Sequence, residues 1–250
     1  MGLLERLARL RESEERGILF TVVEGENVGR KLLLLESGER VGDGVPEEAV
    51  ERFDELIRRG RNRLLELADG TRVFAEWYGP PPRLLVYGAV DTAEALCRGA
   101  KLLGWRAIVA DARARFATPE RIPSADELIV AWPDETYERV RPDHQTAIVV
   151  LTHDDKFDEP ALIGALASEA FYIGALGSRR NQERRRERLL AAGVSEEQWE
   201  RIMGPCGLDI GAETQEETAI SILAEILAVR AGRPGGYLKQ ARERIHVEVE

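Results

Sequence analysis

Leu84-Leu-Val-Tyr-Gly88-Ala-Val90-Asp91-Thr-Ala93 joins an apolar run to a glycine and then to the start of an amphipathic stretch. A strand that ends in a glycine turn and leads into a helix is the opening unit of a Rossmann-like domain. Further apolar runs of strand length follow at Ala107–Ala110, Leu128–Val130, Ala147–Leu151 and Phe171–Ile173, most of them separated by amphipathic stretches. This α/β alternation predicts a Rossmann-like, mainly parallel sheet covered by helices.

A long last helix completes this domain. It opens with Thr214-Gln-Glu-Glu217, the spacing of a capping box, and its apolar positions continue to Leu227. We expect this helix to pack on the sheet. The Rossmann-like domain is therefore predicted to span residues 83–232, with 233–250 as a tail.

The first 79 residues have a different pattern, which predicts a smaller α+β domain. Leucines at helical spacing begin the chain, and a second helix is predicted from Pro46, where acidic residues follow a proline. The predicted strands are Ile18–Val23, Lys31–Leu35, Leu64–Leu67 and Val73–Trp77, the last two forming a hairpin around Asp69-Gly70. Pro80-Pro81-Pro82 is a stiff connector that separates the two domains.

Composition and charge exclude several classes of protein. The formal net charge of −10 over 250 residues repels nucleic-acid backbones, and the arginine-rich Arg179–Arg188 is broken by glutamates as in a solvated helix face. The cysteines Cys97 and Cys206 form neither a zinc nor a redox pair pattern. Neither a signal peptide nor an apolar run long enough to span a bilayer is present. We expect a cytoplasmic protein that binds no nucleic acid.

The glycine turn departs from the dinucleotide fingerprint. Only Gly88 of its three glycines is present, Val90 stands where pyrophosphate would approach, and Asp91 adds negative charge. Asp111 occupies the position of the acid that holds ribose, although an acid at a strand end is also a common turn residue. The pattern supports the fold more strongly than it supports NAD binding.

Thr152-His153-Asp154-Asp155 follows a buried strand and is therefore expected at the carboxyl edge of the sheet, where open α/β folds bind ligands. Its imidazole and carboxylates have the chemistry to contact a ligand or move a proton. The alternative is a capped loop in which Asp158 begins the next helix. No metal site formed by protein ligands alone is expected, because no second histidine or cysteine lies nearby in the sequence.

A third segment, Gly174-Ala-Leu-Gly177-Ser178-Arg179-Arg180, leads from a strand into a helix. Glycines allow close approach of the backbone, amides at a helix start favour anions, and arginines donate to phosphate. The segment is predicted to be a phosphate cradle. The alternative is a helix cap followed by solvated arginines.

The fourth segment is the loop Gly204–Thr214, whose candidate ligand residues are Gly207, Asp209, Gly211 and Glu213. Carboxylates here suit the paired N–H donors of a heterocycle edge, or else they serve the positive end of the following helix. Cys206 is expected in an exposed loop, either as a reactive thiol or as a small neutral filler.

Taken together, Gly88-Ala-Val-Asp91, Thr152-His-Asp154, Gly174–Arg180 and Gly207–Glu213 resemble the XdhC/CoxI family over nearly the whole chain. The resemblance implies an accessory factor, rather than an enzyme, that binds the molybdenum cofactor, protects it while its sulfido ligand is installed, and delivers it. It implies a xanthine or carbon monoxide dehydrogenase-type molybdoenzyme as the partner, with a cysteine desulfurase as a second one. It also implies an N-terminal domain followed by a Rossmann-like domain.

The sequence departs from the family in two places. Many members have a Gly-Gly-Gly-Cys stretch where this chain has Gly42-Asp43-Gly44-Val45, so no role of that cysteine carries over. Many also have a Gly-Ala-Gly-His turn, which is Gly88-Ala-Val90-Asp91 here. Val28-Gly-Arg-Lys31 is similar to a motif of one subgroup of the family.

Two other functions stay open from the sequence. One is an NAD(P)-dependent oxidoreductase, which is supported by the fold and by Asp111, although the sequence has no Tyr-x-x-x-Lys proton-relay motif. The other is a protein that docks on the apo-dehydrogenase without a small-molecule ligand. A homodimer is expected, because twofold assemblies are the commonest soluble oligomers.

Overall fold

A computed structural model describes residues 2–152 and 154–241. The chain divides into two compact units, one holding the residues up to Pro80 together with those from Gly236, the other spanning Pro81–Gly235. The change from one unit to the other falls within the proline run. Among the described residues, no helix is both long enough and apolar enough to cross a membrane.

The first unit is built on a five-stranded antiparallel sheet. Its elements are α1 (Leu3–Arg11), β1 (Gly17–Glu24), β2 (Lys31–Leu35), β3 (Arg40–Gly42), α2 (Glu47–Val50), α3 (Phe53–Arg59), β4 (Arg63–Glu66) and β5 (Arg72–Tyr78). The strand order is β3-β2-β1-β5-β4. Alternate side chains of β1 point to opposite faces, so Phe20 packs with α2 and α3 while Leu19 packs with Leu10 of α1. Helices therefore cover both faces.

One local prediction for this unit needs correction, and one strand was not predicted. The helix expected from Pro46 starts at Glu47 but is divided into α2 and α3, because Glu51 and Arg52 interrupt it. Strand β3 was not predicted, since its three residues are too few to form an apolar run and it depends on pairing with β2. The hairpin around Asp69-Gly70 is confirmed: β4 and β5 are antiparallel, and Gly70 has φ +82°.

The second unit contains a six-stranded parallel sheet. Its elements are β6 (Arg83–Tyr87), α4 (Asp91–Leu102), β7 (Arg106–Ala110), β8 (Glu127–Ile129), α5 (Pro133–Val140), β9 (Thr146–Val150), α6 (Asp155–Ala167), β10 (Tyr172–Ala175), α7 (Arg179–Ala191), α8 (Glu196–Trp199), β11 (Ile202–Met203) and α9 (Gln215–Ala231). The strand order is β11-β10-β9-β6-β7-β8. The predicted α/β class and parallel sheet are confirmed.

Two apolar layers hold this sheet between helices. On one face, alternate residues of β6 such as Val86 pack with Leu96 of α4 and Ile222 of α9. On the other face, the residues between them, such as Leu85, pack with Leu162 of α6. Strands buried on both faces explain why their sequences are continuous apolar runs. The predicted packing of the last helix on the sheet is confirmed.

Strand β11 was missed from the sequence because its two residues carry no periodicity. No helix separates β7 from β8; residues 111–126 form turns and irregular segments instead. In the predicted tail, Leu238–Gln240 forms a short 3-10 turn, and residues 242–250 lie outside the described residues.

Candidate functional site

The candidate site lies at the carboxyl edge of the parallel sheet. The first strand, β6, pairs with β7 on one side and with β9 on the other. In doubly wound folds the ligand crevice opens where the strand order changes direction in this way. Six loops, one after each strand of the parallel sheet, lie at this edge.

Gly88 brings two of these loops together. Its φ of +112° lies in the region that favours glycine. A Cβ at this position would lie 2.8 Å from Cγ2 and 3.1 Å from the amide nitrogen of Thr152. Gly88 is therefore required for the close packing of the loop after β6 on the loop after β9.

Asp111 is buried and fully engaged. Its Oδ2 accepts hydrogen bonds from the Ala89 amide at 3.0 Å and from Nη2 of Arg113 at 2.8 Å. Its Oδ1 accepts from the amide and from Nε of Arg113, both at 2.9 Å. Burial raises the pKa of Asp111, but the hydrogen bonds from Arg113 and Ala89 outweigh it, so the pKa is lowered. The buried carboxylate is ionised and forms an ion pair with the partly exposed Arg113.

This arrangement leaves Asp111 without capacity for ribose. A carboxylate offers about four lone-pair positions, and Ala89 and Arg113 fill them. A ribose diol would have to displace Arg113 from a charge-assisted pair. Asp111 thus has the position of the ribose-binding acid but serves to hold the glycine turn.

The start of α4 is also unfavourable for phosphate. Asp91 and Glu94 lie in its first turn. Asp91 is exposed and meets Arg121 at 3.4 Å. Val90, at the N-cap, packs against the core. Acidic side chains interact favourably with the positive end of a helix, so they compete there with any anionic ligand.

A buried polar cluster lies beneath the neighbouring loops; we call Thr152, Asp158, Gln182 and Arg185 the Arg185 cluster. The Thr152 hydroxyl donates to Oδ1 of Asp158. Nη2 of Arg185 donates to Oδ2 of Asp158 at 2.7 Å, and both side chains are almost fully buried. Arg185 also donates to Gln182 at 2.7 Å and to the Leu176 carbonyl at 3.3 Å.

The Arg185 cluster joins the loops after β9, β10 and β11. Nε2 of Gln182 donates to the Ala175 carbonyl at 3.0 Å, and Gly204 lies against the same side chain, where a Cβ would be 2.6 Å from Oε1. The role of Arg185 was not predicted from the sequence, where this residue lies within an arginine run. The spacing of Gln182, Arg185 and Leu189 could have indicated that they share one helix face, and these three residues form the buried stripe of α7.

Thr152 and Asp154 both have structural partners. Thr152 is buried and belongs to the Arg185 cluster. Asp154 is the N-cap of α6, and its side chain accepts from the Lys156 amide at 3.1 Å. This matches the capped-loop alternative, although Asp154 rather than Asp158 is the cap. His153 lies outside the described residues.

The segment after β10 has the geometry of a helix start open to solvent. Gly177 has φ +139°, and the Ser178 side chain accepts from the Asn181 amide at 3.3 Å to cap α7. Gly174 lies deeper, within β10, where a Cβ would be 2.7 Å from the Tyr172 ring. Packing of Tyr172 therefore accounts for Gly174, whereas Gly177 and Ser178 shape the exposed turn.

Among the described residues, the six arginines of α7 fall into two groups: three form ion pairs, and three, including the exposed Arg184 further along the helix, have no acidic partner. Arg185, Arg186 and Arg188 form ion pairs with acidic residues. Arg179 and Arg180, in the first turn, are exposed and have no acidic partner among the described residues. The first turn of α7 contains no acidic residue, so two positive side chains stand at the positive end of the helix. This arrangement is unfavourable unless an anion binds.

The loop Gly204–Thr214 is anchored at its start and exposed at its end. The Cys206 amide donates to the Ala175 carbonyl at 3.2 Å, and the Gly207 amide donates to Glu225 at 2.9 Å. The hydroxyl of Tyr172 donates to the same Glu225 oxygen at 2.6 Å. Further on, three of the predicted ligand residues are exposed: Asp209, Gly211 and Glu213.

The expectation that Cys206 lies in an exposed loop is wrong, whereas its interpretation as a small neutral filler agrees with its burial. The thiol is buried, and burial together with the charge of Glu225 raises its pKa to about 12. A protonated, buried thiol is a poor nucleophile. The glycine-rich sequence around Cys206 was misleading, because such loops are usually exposed. Here Cys206 packs into the core beside the sheet.

The predicted ligand segments thus meet at one edge of the sheet. Gly88 touches Thr152, the Arg185 cluster connects Thr152 to the Gly177 turn, and Cys206 is hydrogen-bonded to the end of β10. Within residues 2–152 and 154–241, no three histidine, cysteine or acidic side chains are grouped so as to hold a metal ion.

The sequence matches known proteins in this region. The family described as the XdhC Rossmann domain matches residues 84–226. A Bacillus subtilis protein, named as a probable xanthine dehydrogenase subunit, is 34% identical over 160 residues, covering 64% of this chain and 46% of that protein. Escherichia coli PaoD, named a molybdenum cofactor insertion chaperone, is 38% identical over 88 residues, covering 35% and 28%. Escherichia coli YqeB is 36% identical over 172 residues, covering 66% and 30%.

The chain spans less than half the length of each of these relatives. Among solved structures, a protein from Bacillus halodurans described as a xanthine dehydrogenase has a similar fold, with a TM-score of 0.55 and 19% identity. The match covers 97% of this chain and 98% of that one. At this identity the match concerns the fold alone.

Proposed function

Because the chain belongs to the XdhC family, we propose that it is an accessory protein for the maturation of a molybdoenzyme of the xanthine or carbon monoxide dehydrogenase type. In this role it binds the molybdenum cofactor at the carboxyl edge of the parallel sheet and delivers it to the apo-enzyme. The names of two relatives support this: one is named a probable xanthine dehydrogenase subunit, and the other a molybdenum cofactor insertion chaperone.

The observation that carries the ligand site is the pair Arg179 and Arg180. They are exposed, lack an acidic partner within the described residues and stand at a helix start that has no acid. Gly177 leaves the backbone open beside them. The pyranopterin part of the cofactor ends in a phosphate, for which two guanidinium groups and free amides are suitable donors.

The remaining residues fit the rest of the cofactor in part. Asp209 and Glu213 are exposed carboxylates and suit the N–H donors of the pterin edge. Thr152 and Asp154 use their side chains in the fold, so their contribution to the site is to shape it. When bound, the cofactor carries the metal that serves the client enzyme, and the residues of this chain hold the cofactor until it is delivered.

NAD(P) binding is the weaker alternative. Asp111 is saturated by Ala89 and Arg113, and Asp91 adds negative charge where pyrophosphate would lie. A cysteine desulfurase as a second partner and a homodimer stay predictions of the same proposal.

The test compares cofactor binding by calorimetry in matched variants. Arg179→Ala combined with Arg180→Ala should weaken binding by about tenfold or more, because two charge-assisted hydrogen bonds are lost. The control removes two exposed arginines of the first unit, Arg30→Ala with Arg61→Ala, and should leave the affinity unchanged. Equal affinity in both variants, or no binding by the wild-type chain, would contradict the proposal. Binding to an apo-dehydrogenase without any cofactor affinity would favour the docking function.

A further inference from the structure

A second group of side chains at the carboxyl edge is not explained by cofactor binding near α7. Three aromatic residues, Phe116, Trp132 and Phe157, come from the segments that follow β7, β8 and β9, and we call them the aromatic platform. The rings of Trp132 and Phe157 have centroids 5.0 Å apart at an interplanar angle of 39°. Arg113 connects them to Phe116, since its guanidinium carbon lies 4.4 Å from the Phe116 centroid and 5.4 Å from that of Phe157.

Trp132 leaves apolar surface exposed at this edge. Trp132 is 40% exposed, and Val130, two residues earlier in the chain, is 52% exposed. Exposed apolar clusters rimmed by charged groups often mark ligand sites. The Lys156 ammonium, 5.0 Å from the Trp132 centroid, sits at the end of a flexible stem that a bound ligand can displace.

Positive charge is concentrated around Phe116. The guanidinium carbons of Arg113, Arg115 and Arg121 lie 4.4, 4.7 and 5.1 Å from its centroid. Of these, Arg113 is neutralised by the buried Asp111, and Arg121 meets the exposed Asp91 at 3.4 Å. Arg115 has no acidic partner among the described residues. Guanidinium groups gathered around one ring repel each other, and an anion bound between them would relieve that repulsion.

We propose that the aromatic platform is a binding site for a mononucleotide. Its base stacks on the exposed part of the Trp132 ring, which packs against the buried Phe157 ring, and its phosphate is held by Arg115 and Arg121. Aromatic rings and guanidinium planes bind bases in this way because every base has a flat π-face. Stacking increases with ring area, so purines should bind more tightly than pyrimidines. Because Asp111 has no lone pair left for a diol, the ribose is not recognised.

The inference goes beyond the proposed function and does not rest on it. The probe is a free mononucleotide, so failure to bind the molybdenum cofactor would not contradict the mononucleotide site. Failure to bind a mononucleotide would likewise not contradict the proposed function. The site also differs from a dinucleotide fold of the usual type, in which an acid at the position of Asp111 holds the ribose hydroxyls.

The test is a titration of the full chain with AMP, dAMP and CMP, in which binding is measured by tryptophan fluorescence and by calorimetry. AMP should quench the fluorescence, dAMP should bind within about twofold of AMP, and CMP should bind more weakly. Trp132→Leu should abolish the quenching and weaken AMP binding by about tenfold, whereas Trp132→Phe should keep most of the affinity in calorimetry. Trp199→Phe, in α8, is the matched control and should retain both signals.

A preference for AMP over dAMP of about tenfold or more would overturn the proposal, because it would mean that the ribose is recognised. Equal AMP affinity in the wild type and in Trp132→Leu would overturn it as well. The same conclusion would follow if none of the three nucleotides bound at millimolar concentration. Arg115→Ala with Arg121→Ala tests the phosphate end, and an unchanged AMP affinity in that variant would contradict the placement of the phosphate.

Discussion

Two ion pairs with buried carboxylates, Asp111–Arg113 and Asp158–Arg185, hold the loops of the candidate site. Taking charges out of water is costly, and an ion pair alone does not always offset that cost. Here further hydrogen bonds assist: Ala89 donates to Asp111, and Thr152 donates to Asp158. The pairs join loops that carry the ligand residues, so their loss should affect both stability and the shape of the site.

Asp111→Asn should destabilise the protein by about 1–3 kcal/mol, because Arg113 loses its buried partner while remaining partly exposed. The lowered pKa of Asp111 fixes the pH dependence. The stabilisation by the carboxylate is complete above the ordinary carboxyl pKa of about 4 and is lost as the pH falls through the folded-state pKa. Urea unfolding should therefore show the largest difference from wild type at neutral pH and a smaller one near pH 3.

The control for this comparison is Asp43→Asn, at an exposed position of the first unit. It should change the free energy of unfolding by less than about 0.5 kcal/mol. A difference between Asp111→Asn and wild type that grows on acidification would contradict the assignment of Asp111 as an ionised, paired group.

Arg185→Met should cost about 3–5 kcal/mol in urea unfolding, because it leaves the Asp158 carboxylate buried without its charged partner. Adding Asp158→Leu should recover part of that loss, since an apolar pair replaces a buried ionic one. If Arg185→Met and the double variant both unfolded within about 1 kcal/mol of wild type, the Arg185 cluster would not hold the loops as described.

At the scale of elements, the helix starts decide where an anion can bind. The acidic first turn of α4 and the arginines at the start of α7 have opposite charge, although both helices begin at the same sheet edge. This contrast could be predicted from the sequence, as could the long strands and the capping box of α9. Strands β3 and β11 could not, because two or three residues show no pattern and depend on a partner strand.

The burial and the hydrogen-bond partners of individual site residues could not be predicted from the sequence either. Asp111 and Arg185 look like a ribose ligand and a solvated arginine, and only three-dimensional packing gives each its partner. Likewise, Cys206 is buried because its loop is tied to β10, a contact between residues distant in the chain. Local patterns specify elements, whereas pairing of polar groups across elements depends on the fold.

Thr214→Ala should lower the free energy of unfolding by about 1 kcal/mol, since it removes the acceptor for the Glu217 amide at the start of α9. Thr214→Ser keeps the hydroxyl and should behave like wild type. Thermal or urea unfolding of the three proteins checks this. An equal loss in the serine and alanine variants would show that the methyl group, rather than the cap, matters.

At the scale of the whole molecule, the net charge of −10 contrasts with the local arginines of α7. An anionic ligand is therefore attracted only close to the site, through direct contacts rather than through the field of the protein. The expected homodimer stays a prediction, and light scattering should give about twice the 27.9 kDa of the chain. A mass equal to that of one chain would contradict it.

The central claim, that this chain carries the molybdenum cofactor, is tested most directly by the small molecule that it holds. The protein is purified from a host that makes the cofactor, denatured at once, and the released compounds are identified by mass spectrometry. We predict a pterin derivative in wild type and much less of it after Arg179→Ala with Arg180→Ala. Release of a nicotinamide dinucleotide, or of no pterin at all, would contradict the account.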